Sequence, residues 1–168
     1  MMKRMVPLLL TALCLLSLTI SAASAAEVAP NVFFELRVGI DAKPLKLREL
    51  PRAPYCEGRA LMVPAVQIAR ALGYKVELDE KAKTLTIDDG VTQAATLTDG
   101  KKETVFTSRL TIIDLSRTIE NAAETVFLDG CVSVPVEFFE EFFNDVSVEN
   151  GTILIAPSMC SIDGLEAE

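Results

Sequence analysis

One sequence pattern occurs twice in this chain, and it constrains the fold more than any other feature. Each copy begins at a glycine, continues through a short apolar run to Val-Pro, and enters a brief amphipathic segment that ends at Gly or Asn. Two alternating apolar runs follow. The copies cover residues 58–87 and 130–155, and Pro64 and Pro135 occupy equivalent positions in them. A unit of strand, helix and hairpin used twice indicates a structural scaffold.

Local signals within the copies predict individual elements. Four apolar residues of the first copy recur at helical spacing and share one face: Ala65, Ile68, Ala69 and Leu72. Gly73 follows them, and glycine readily adopts the left-handed conformation that ends a helix. Because so short a helix is unstable alone in water, it must pack on a sheet.

The hairpins carry the clearest turn chemistry. Apolar and polar residues alternate at Val76/Leu78 and Leu85/Ile87 in the first copy, which indicates strands with one buried face. In the second copy, Asn150-Gly151 separates two such runs, and this dipeptide is typical of a two-residue hairpin turn.

These signals predict an α+β fold of two related strand–helix–hairpin halves, with short helices packed on antiparallel, hairpin-rich sheet. The domain is expected over residues 35–157, with halves at about 35–90 and 91–157. A leader, 26–34, precedes it, and an acidic tail, 158–168, follows it.

Residues 1–25 have the composition of a secretory signal peptide. Lys3 and Arg4 precede an apolar run over 6–20, and Ala23-Ser24-Ala25 offers a cleavage site. The apolar run is short for a membrane span, so cleavage is expected to leave a protein without one, although an uncleaved anchor is the alternative. The sequence therefore predicts export to the extracellular space or cell envelope.

The charge and the residue types exclude several functions. The net charge is −8, and it becomes −10 once Lys3 and Arg4 leave with the signal, so binding to nucleic acid is not expected. The chain has no histidine, which excludes histidine-based nucleophile activation and histidine-ligated metals. No catalytic, cofactor-binding or metal-binding residues are predicted, although the many carboxylates leave a two-carboxylate glycan hydrolase open as an alternative.

Cysteines and phenylalanines provide the candidate contacts. Cys56 and Cys131 occupy similar positions beside the glycines of the two copies, so they are candidates for a disulfide; Cys160 leaves other pairings open. Phe138 and Phe142 share one stripe of the second amphipathic segment. They are interpreted either as a wide core face or as an interaction surface.

The first copy resembles the copper amine oxidase N-terminal-like domain. The resemblance rests on residues 57–64, 68–73, 76–79 and 83–87, and Leu78 stands where that family usually has tryptophan. The second copy departs further, with Cys131 in place of arginine. The resemblance covers about residues 35–157 and implies an exported bacterial module without oxidase chemistry, because the copper of the oxidases is held by histidines of another domain.

The expected function is therefore that of a non-catalytic interaction or structural module, extracellular or associated with the envelope. Its expected partner is another protein or a cell-wall polysaccharide. Besides the hydrolase, the remaining alternative is a purely structural homodimer linked by cysteine.

Overall fold

The secondary structure differs in class from the sequence-based expectation. The computed structural model describes residues 34–46, 50–109 and 115–158, which all belong to the second of the chain's two units, Asn31–Glu168. Of the described residues, 53% lie in strands and 12% in two helices, and the strands form three sheets. The prediction of an α+β fold with short helices packed on antiparallel sheet is therefore wrong, because the domain is mostly β.

Thirteen strands and two short helices form the described part of the chain. In chain order they are β1 (Glu35–Val38), β2 (Lys43–Leu45), β3 (Tyr55–Glu57), β4 (Ala60–Pro64), α1 (Ala65–Ala71), β5 (Lys75–Asp79), β6 (Thr84–Asp88), β7 (Gln93–Thr98), β8 (Glu103–Ser108), β9 (Ser116–Glu120), β10 (Val126–Leu128), β11 (Cys131–Pro135), a 3-10 helix (Val136–Phe142), β12 (Asn144–Glu149) and β13 (Thr152–Pro157). The sheet orders are β12-β13-β1-β2, β10-β11-β4-β3 and β5-β6-β7-β8-β9.

Strands outside the doubled pattern account for the change of fold class. β7, β8 and β9 extend the β5–β6 hairpin into a sheet of five strands. β1 and β2 extend the β12–β13 hairpin, and β1 pairs with β13 in parallel, so this sheet is mixed. The two helices have seven residues each, so they contribute far fewer residues to the domain than the sheets do.

The 3-10 form of the second helix fits the spacing of three of its buried residues. In a 3-10 helix, side chains three residues apart lie directly above one another. Val136, Phe139 and Phe142 have this spacing, and all three are buried. The tighter helix therefore presents a column of large apolar side chains to the core.

The two copies of the pattern meet in the central sheet, β10-β11-β4-β3. Its strands β4 and β11 run antiparallel, and Val63 lies opposite Val134, its equivalent in the second copy. On either side, Met62 pairs with Pro135, the equivalent of Pro64, and Pro64 pairs with Ser133, the equivalent of Met62. A local two-fold axis therefore passes between the two valines. In keeping with it, α1 packs on β11 and the 3-10 helix packs on β4.

One hydrophobic core occupies the space between the sheets and the helices. It draws on all three sheets, with Leu36, Val134 and Leu97 as fully buried examples, and on both helices. A smaller cluster around Met62 and Ala123 lies apart from it. The predicted Asn150-Gly151 turn is confirmed, because both residues have positive φ (49° and 79°) and join β12 to β13.

Candidate functional site

A groove with a volume of about 200 Å³ lies between the β5–β6 hairpin and the β10–β11 turn. Its floor is apolar: Val132 and the Cys131 side chain are buried, and Phe127 is half-buried. Leu78 and Leu128 form its two lips and remain 37% and 49% exposed. The groove therefore combines a fixed apolar floor with apolar lips that are open to solvent.

The charged side chains of the groove give its rim a negative balance. Lys83 is the basic residue of the lining, and its Nζ lies 2.8 Å from Asp99 Oδ2, which neutralises it. Glu80 and Asp129 also line the groove and are exposed. Neither has an ion-pair partner among the described residues. The rim therefore favours a ligand that carries positive charge beside an apolar group.

Asp99 holds two residues of the groove lining, Lys83 and Phe127. It lies in the turn between β7 and β8, and its Oδ1 accepts a hydrogen bond of 3.0 Å from the backbone N–H of Phe127 in β10. The Lys83 side chain and the Phe127 N–H both lower the pKa of Asp99 below its ordinary value of 3.8. One carboxylate thus links the five-stranded sheet to the central sheet.

The role of Asp99 predicts a dependence of stability on pH. Because its pKa is lower in the folded protein than in the unfolded chain, the unfolded chain binds more protons at acid pH. The stabilisation is fully present above about pH 4 and is lost as the pH falls through the folded-state pKa. We expect Asp99→Asn, which keeps an acceptor for Phe127, to make chemical denaturation midpoints less dependent on pH below about pH 4. An unchanged pH dependence in Asp99→Asn would contradict this role.

The two candidate disulfide cysteines lie apart. Both are free thiols; Cys56 is exposed on β3, whereas Cys131 is buried on β11, and β4 lies between these strands. Cys56 pairs with Leu61 near the start of β4, while Cys131 lies beyond Ser133, which pairs with Pro64 at the other end. The local two-fold axis thus places the two glycine turns at opposite ends of the sheet. Cys160 lies outside the described residues.

The buried thiol of Cys131 is a weak nucleophile. Burial raises its pKa, although Ser133 and Arg52 act in the opposite direction. A thiol is reactive as its thiolate, so a raised pKa leaves Cys131 mostly protonated near neutral pH. Cys131 therefore contributes apolar surface to the groove floor.

The phenylalanines proposed as an interaction surface lie in the core. Phe138 is 1% exposed and Phe142 is 4% exposed, and their ring centroids are 5.6 Å apart. Phe143, in contrast, is 67% exposed and has a left-handed φ of 57°. The interpretation of Phe138 and Phe142 as a core face thus agrees with their burial, and they offer no surface to a partner.

Two adjacent carboxylates, Asp88 and Asp89, accept hydrogen bonds from the backbone of the turn between β6 and β7. Burial would raise the pKa of Asp88, but its bonds to the Arg109 side chain and the Gly90 N–H lower it overall. Asp89 likewise has a lowered pKa, because its hydrogen bonds, such as that from the Thr92 side chain, outweigh burial. The general acid of a glycan hydrolase needs a raised pKa, whereas the pKa values of Asp88 and Asp89 are lowered.

Metal binding has no support in the described residues. No three His, Cys, Asp or Glu side chains there come close enough together to hold an ion. Across the same ranges, neither helix has the length and apolar character needed to cross a membrane.

The sequence profile of the copper amine oxidase N-terminal domain matches residues 40–155. The chain belongs to this family. The resemblance predicted from the first copy of the pattern is thereby confirmed. The copper amine oxidase N-terminal domain is an accessory domain and is not the catalytic part of the oxidases. Comparisons with curated proteins and with solved structures give no match.

The groove itself was not predicted from the sequence. Its lips, Leu78 and Leu128, are distant in the sequence and come from different sheets. The departure from the family pattern at Leu78, which lines the groove, is the sequence signal that could have drawn attention to it.

Proposed function

We propose that this chain is an exported, non-catalytic binding module of the cell envelope or extracellular space, and that its groove contacts a partner. Two kinds of partner are considered, another protein and a cell-wall polysaccharide. The groove favours a protein, because its floor and lips are apolar and would suit an apolar side chain. The acidic rim adds a preference for a partner segment with Lys or Arg beside that apolar residue.

The single observation that carries the proposal is the exposed apolar surface of Leu78 and Leu128 around a preformed groove. Exposed apolar surface beside polar groups commonly marks a contact site. The signal-peptide composition of residues 1–25 supports export, and family membership supports a role without catalysis.

A pull-down from envelope extract tests the proposal with a matched pair of variants. Leu128→Lys replaces apolar surface on the lip of the groove with a positive charge, which should repel the Lys or Arg expected in the partner. The side chain is half exposed, so the fold should tolerate the change. Val148→Lys changes an apolar residue on β12, outside the groove lining, that is similarly exposed at 46%. We expect Leu128→Lys to reduce recovery of the partner about tenfold or more and Val148→Lys to leave it unchanged.

The outcome separates the alternatives. Recovery of nothing above background from both the protein and the wall fractions would count against the binding function. An equal loss of partner recovery in the two variants would show that the groove is not the binding surface. Hydrolysis of wall polysaccharide that disappears on mutation of one carboxylate pair would replace the proposal with the hydrolase alternative.

A further inference from the structure

The outer edge of β3 has unsatisfied hydrogen-bonding groups. β3 and β4 form a hairpin whose turn has two residues, Gly58 and Arg59, so the adjacent pair, Glu57 and Ala60, exchanges hydrogen bonds. The next residue, Cys56, therefore directs its N–H and C=O away from β4. β3 is the last strand of its sheet, and no other hydrogen bond to the Cys56 backbone occurs among the described residues.

The opposite edge of the same sheet is closed. Phe127 occupies the same place in the β10–β11 hairpin that Cys56 occupies in the β3–β4 hairpin. Its outward N–H donates to Asp99 from the β7–β8 turn. The local two-fold axis thus relates one blocked edge to one open edge, and an open edge is a template for pairing with another strand.

The charges beside Cys56 suit a second copy of the same strand. The guanidinium of Arg52 lies 3.9 Å from the centroid of the Tyr55 ring. In an antiparallel pair centred on Cys56, Tyr55 of each copy lies opposite Glu57 of the other. Glu57 is exposed and has no ion-pair partner among the described residues. Two-fold symmetry would therefore form the contact between Arg52 and Glu57 twice.

We propose that a second copy of this chain pairs with the outer edge of β3, antiparallel about Cys56, and joins two central sheets into one continuous sheet. The two Cys56 residues exchange N–H···O=C hydrogen bonds across the axis. Pro54, which precedes β3, is buried and lacks an N–H, which limits the pairing to a short segment. Because the contact is isologous, it closes as a dimer and does not propagate.

Cross-linking through Cys56 tests the register. Opposed residues of a hydrogen-bonded antiparallel pair have Cα atoms about 5.5 Å apart, within the range of disulfides. Diamide serves as the oxidant in a Cys160→Ser background: two Cys56 thiols give up two protons and two electrons to its azo bond, which becomes a hydrazine as the S–S bond forms. We expect the mature protein to migrate as a covalent dimer on non-reducing gels, and Cys56→Ser to remove that band while its mass in light scattering stays that of a dimer.

Charge reversal tests the pairing without the thiol. Glu57→Arg places like charges together, and we expect the dissociation constant of the dimer to rise about tenfold or more. The double variant Arg52→Glu/Glu57→Arg restores the opposite charges and should restore the dimer, which would assign the loss in Glu57→Arg to like charges and not to unfolding. Glu77→Arg, on the five-stranded sheet, is the matched control and should have no effect. A monomeric mass at protein concentrations up to about 1 mM, or a dimer unaffected by Glu57→Arg, would overturn the proposal.

Discussion

Replacing Phe138 with alanine is expected to lower the free energy of unfolding by about 3–5 kcal/mol. The side chain is 1% exposed, and its ring lies within 6.1 Å, centroid to centroid, of three other rings: Phe106, Phe139 and Phe142. Alanine would remove these contacts and leave a cavity that a core bounded by several sheets cannot easily close. Urea denaturation followed by circular dichroism measures the change.

Phe143→Ala is the matched control for Phe138. Phe143 lies in the same aromatic run but is 67% exposed, so we expect its replacement to change stability by no more than about 0.5 kcal/mol. Phe138→Asp goes further and should leave no folded population, because it buries an unpaired carboxylate. A folded Phe138→Asp protein with reduced mass would instead support the interaction surface and contradict the core assignment.

The elements that could be predicted from the sequence depend on short-range chemistry. The first helix was expected over residues 65–72 and is observed at Ala65–Ala71, and Gly73 ends it with a φ of +85°. The Asn150-Gly151 turn could also be predicted, because this turn requires a positive φ at both residues and Asn and Gly adopt it readily. In these places, neighbouring residues alone determine the backbone.

The balance of helix and sheet could not be predicted, because it depends on pairings between distant segments. β1 is parallel to β13, with Leu36 opposite Ile153, and nothing local to either strand signals the other. The second amphipathic segment could be recognised as helical, but its 3-10 form depends on the core that receives Phe139 and Phe142. The tertiary environment thus decided both the fold class and the helix type.

In the candidate site too, features that depend on contacts between distant segments could not be predicted from the sequence. Burial of the aromatic face was one of two interpretations, and only the packing of Phe106 from β8 against Phe138 distinguishes them. The proximity expected for Cys56 and Cys131 assumed that equivalent positions lie together, whereas the two-fold axis separates them. Repetition in a sequence predicts the equivalence of two segments but not the symmetry operator that relates them.

Asn144→Ala is expected to lower the free energy of unfolding by about 2–3 kcal/mol, because it takes a hydrogen-bond partner from the buried Phe139 carbonyl and from the half-buried Tyr74 hydroxyl. Asn144 is 3% exposed; its Nδ2 donates to the carbonyl of Phe139 at 2.9 Å, and its Oδ1 accepts from the Tyr74 hydroxyl at 3.2 Å. Asn144 is the equivalent of Gly73 in the second copy, so where glycine ends the first helix by its backbone, asparagine caps the second with its side chain. Chemical denaturation measures the loss.

Tyr74→Phe separates the bonding of Asn144 to the Tyr74 hydroxyl from its bonds to the helix carbonyls. This variant removes the hydroxyl but keeps the ring, whose centroid lies 5.4 Å from that of Phe142, so it should cost about 1 kcal/mol. Since the two side chains share a hydrogen bond, the double variant Tyr74→Phe/Asn144→Ala should lose less stability than the sum of the single losses. Additive losses would mean that the bond to Tyr74 contributes nothing and that Asn144 acts through the carbonyls of Phe139 and Phe142. A shared bond would instead make Tyr74, which follows the first helix, part of the cap of the second, and would couple the two copies of the pattern through their helix ends.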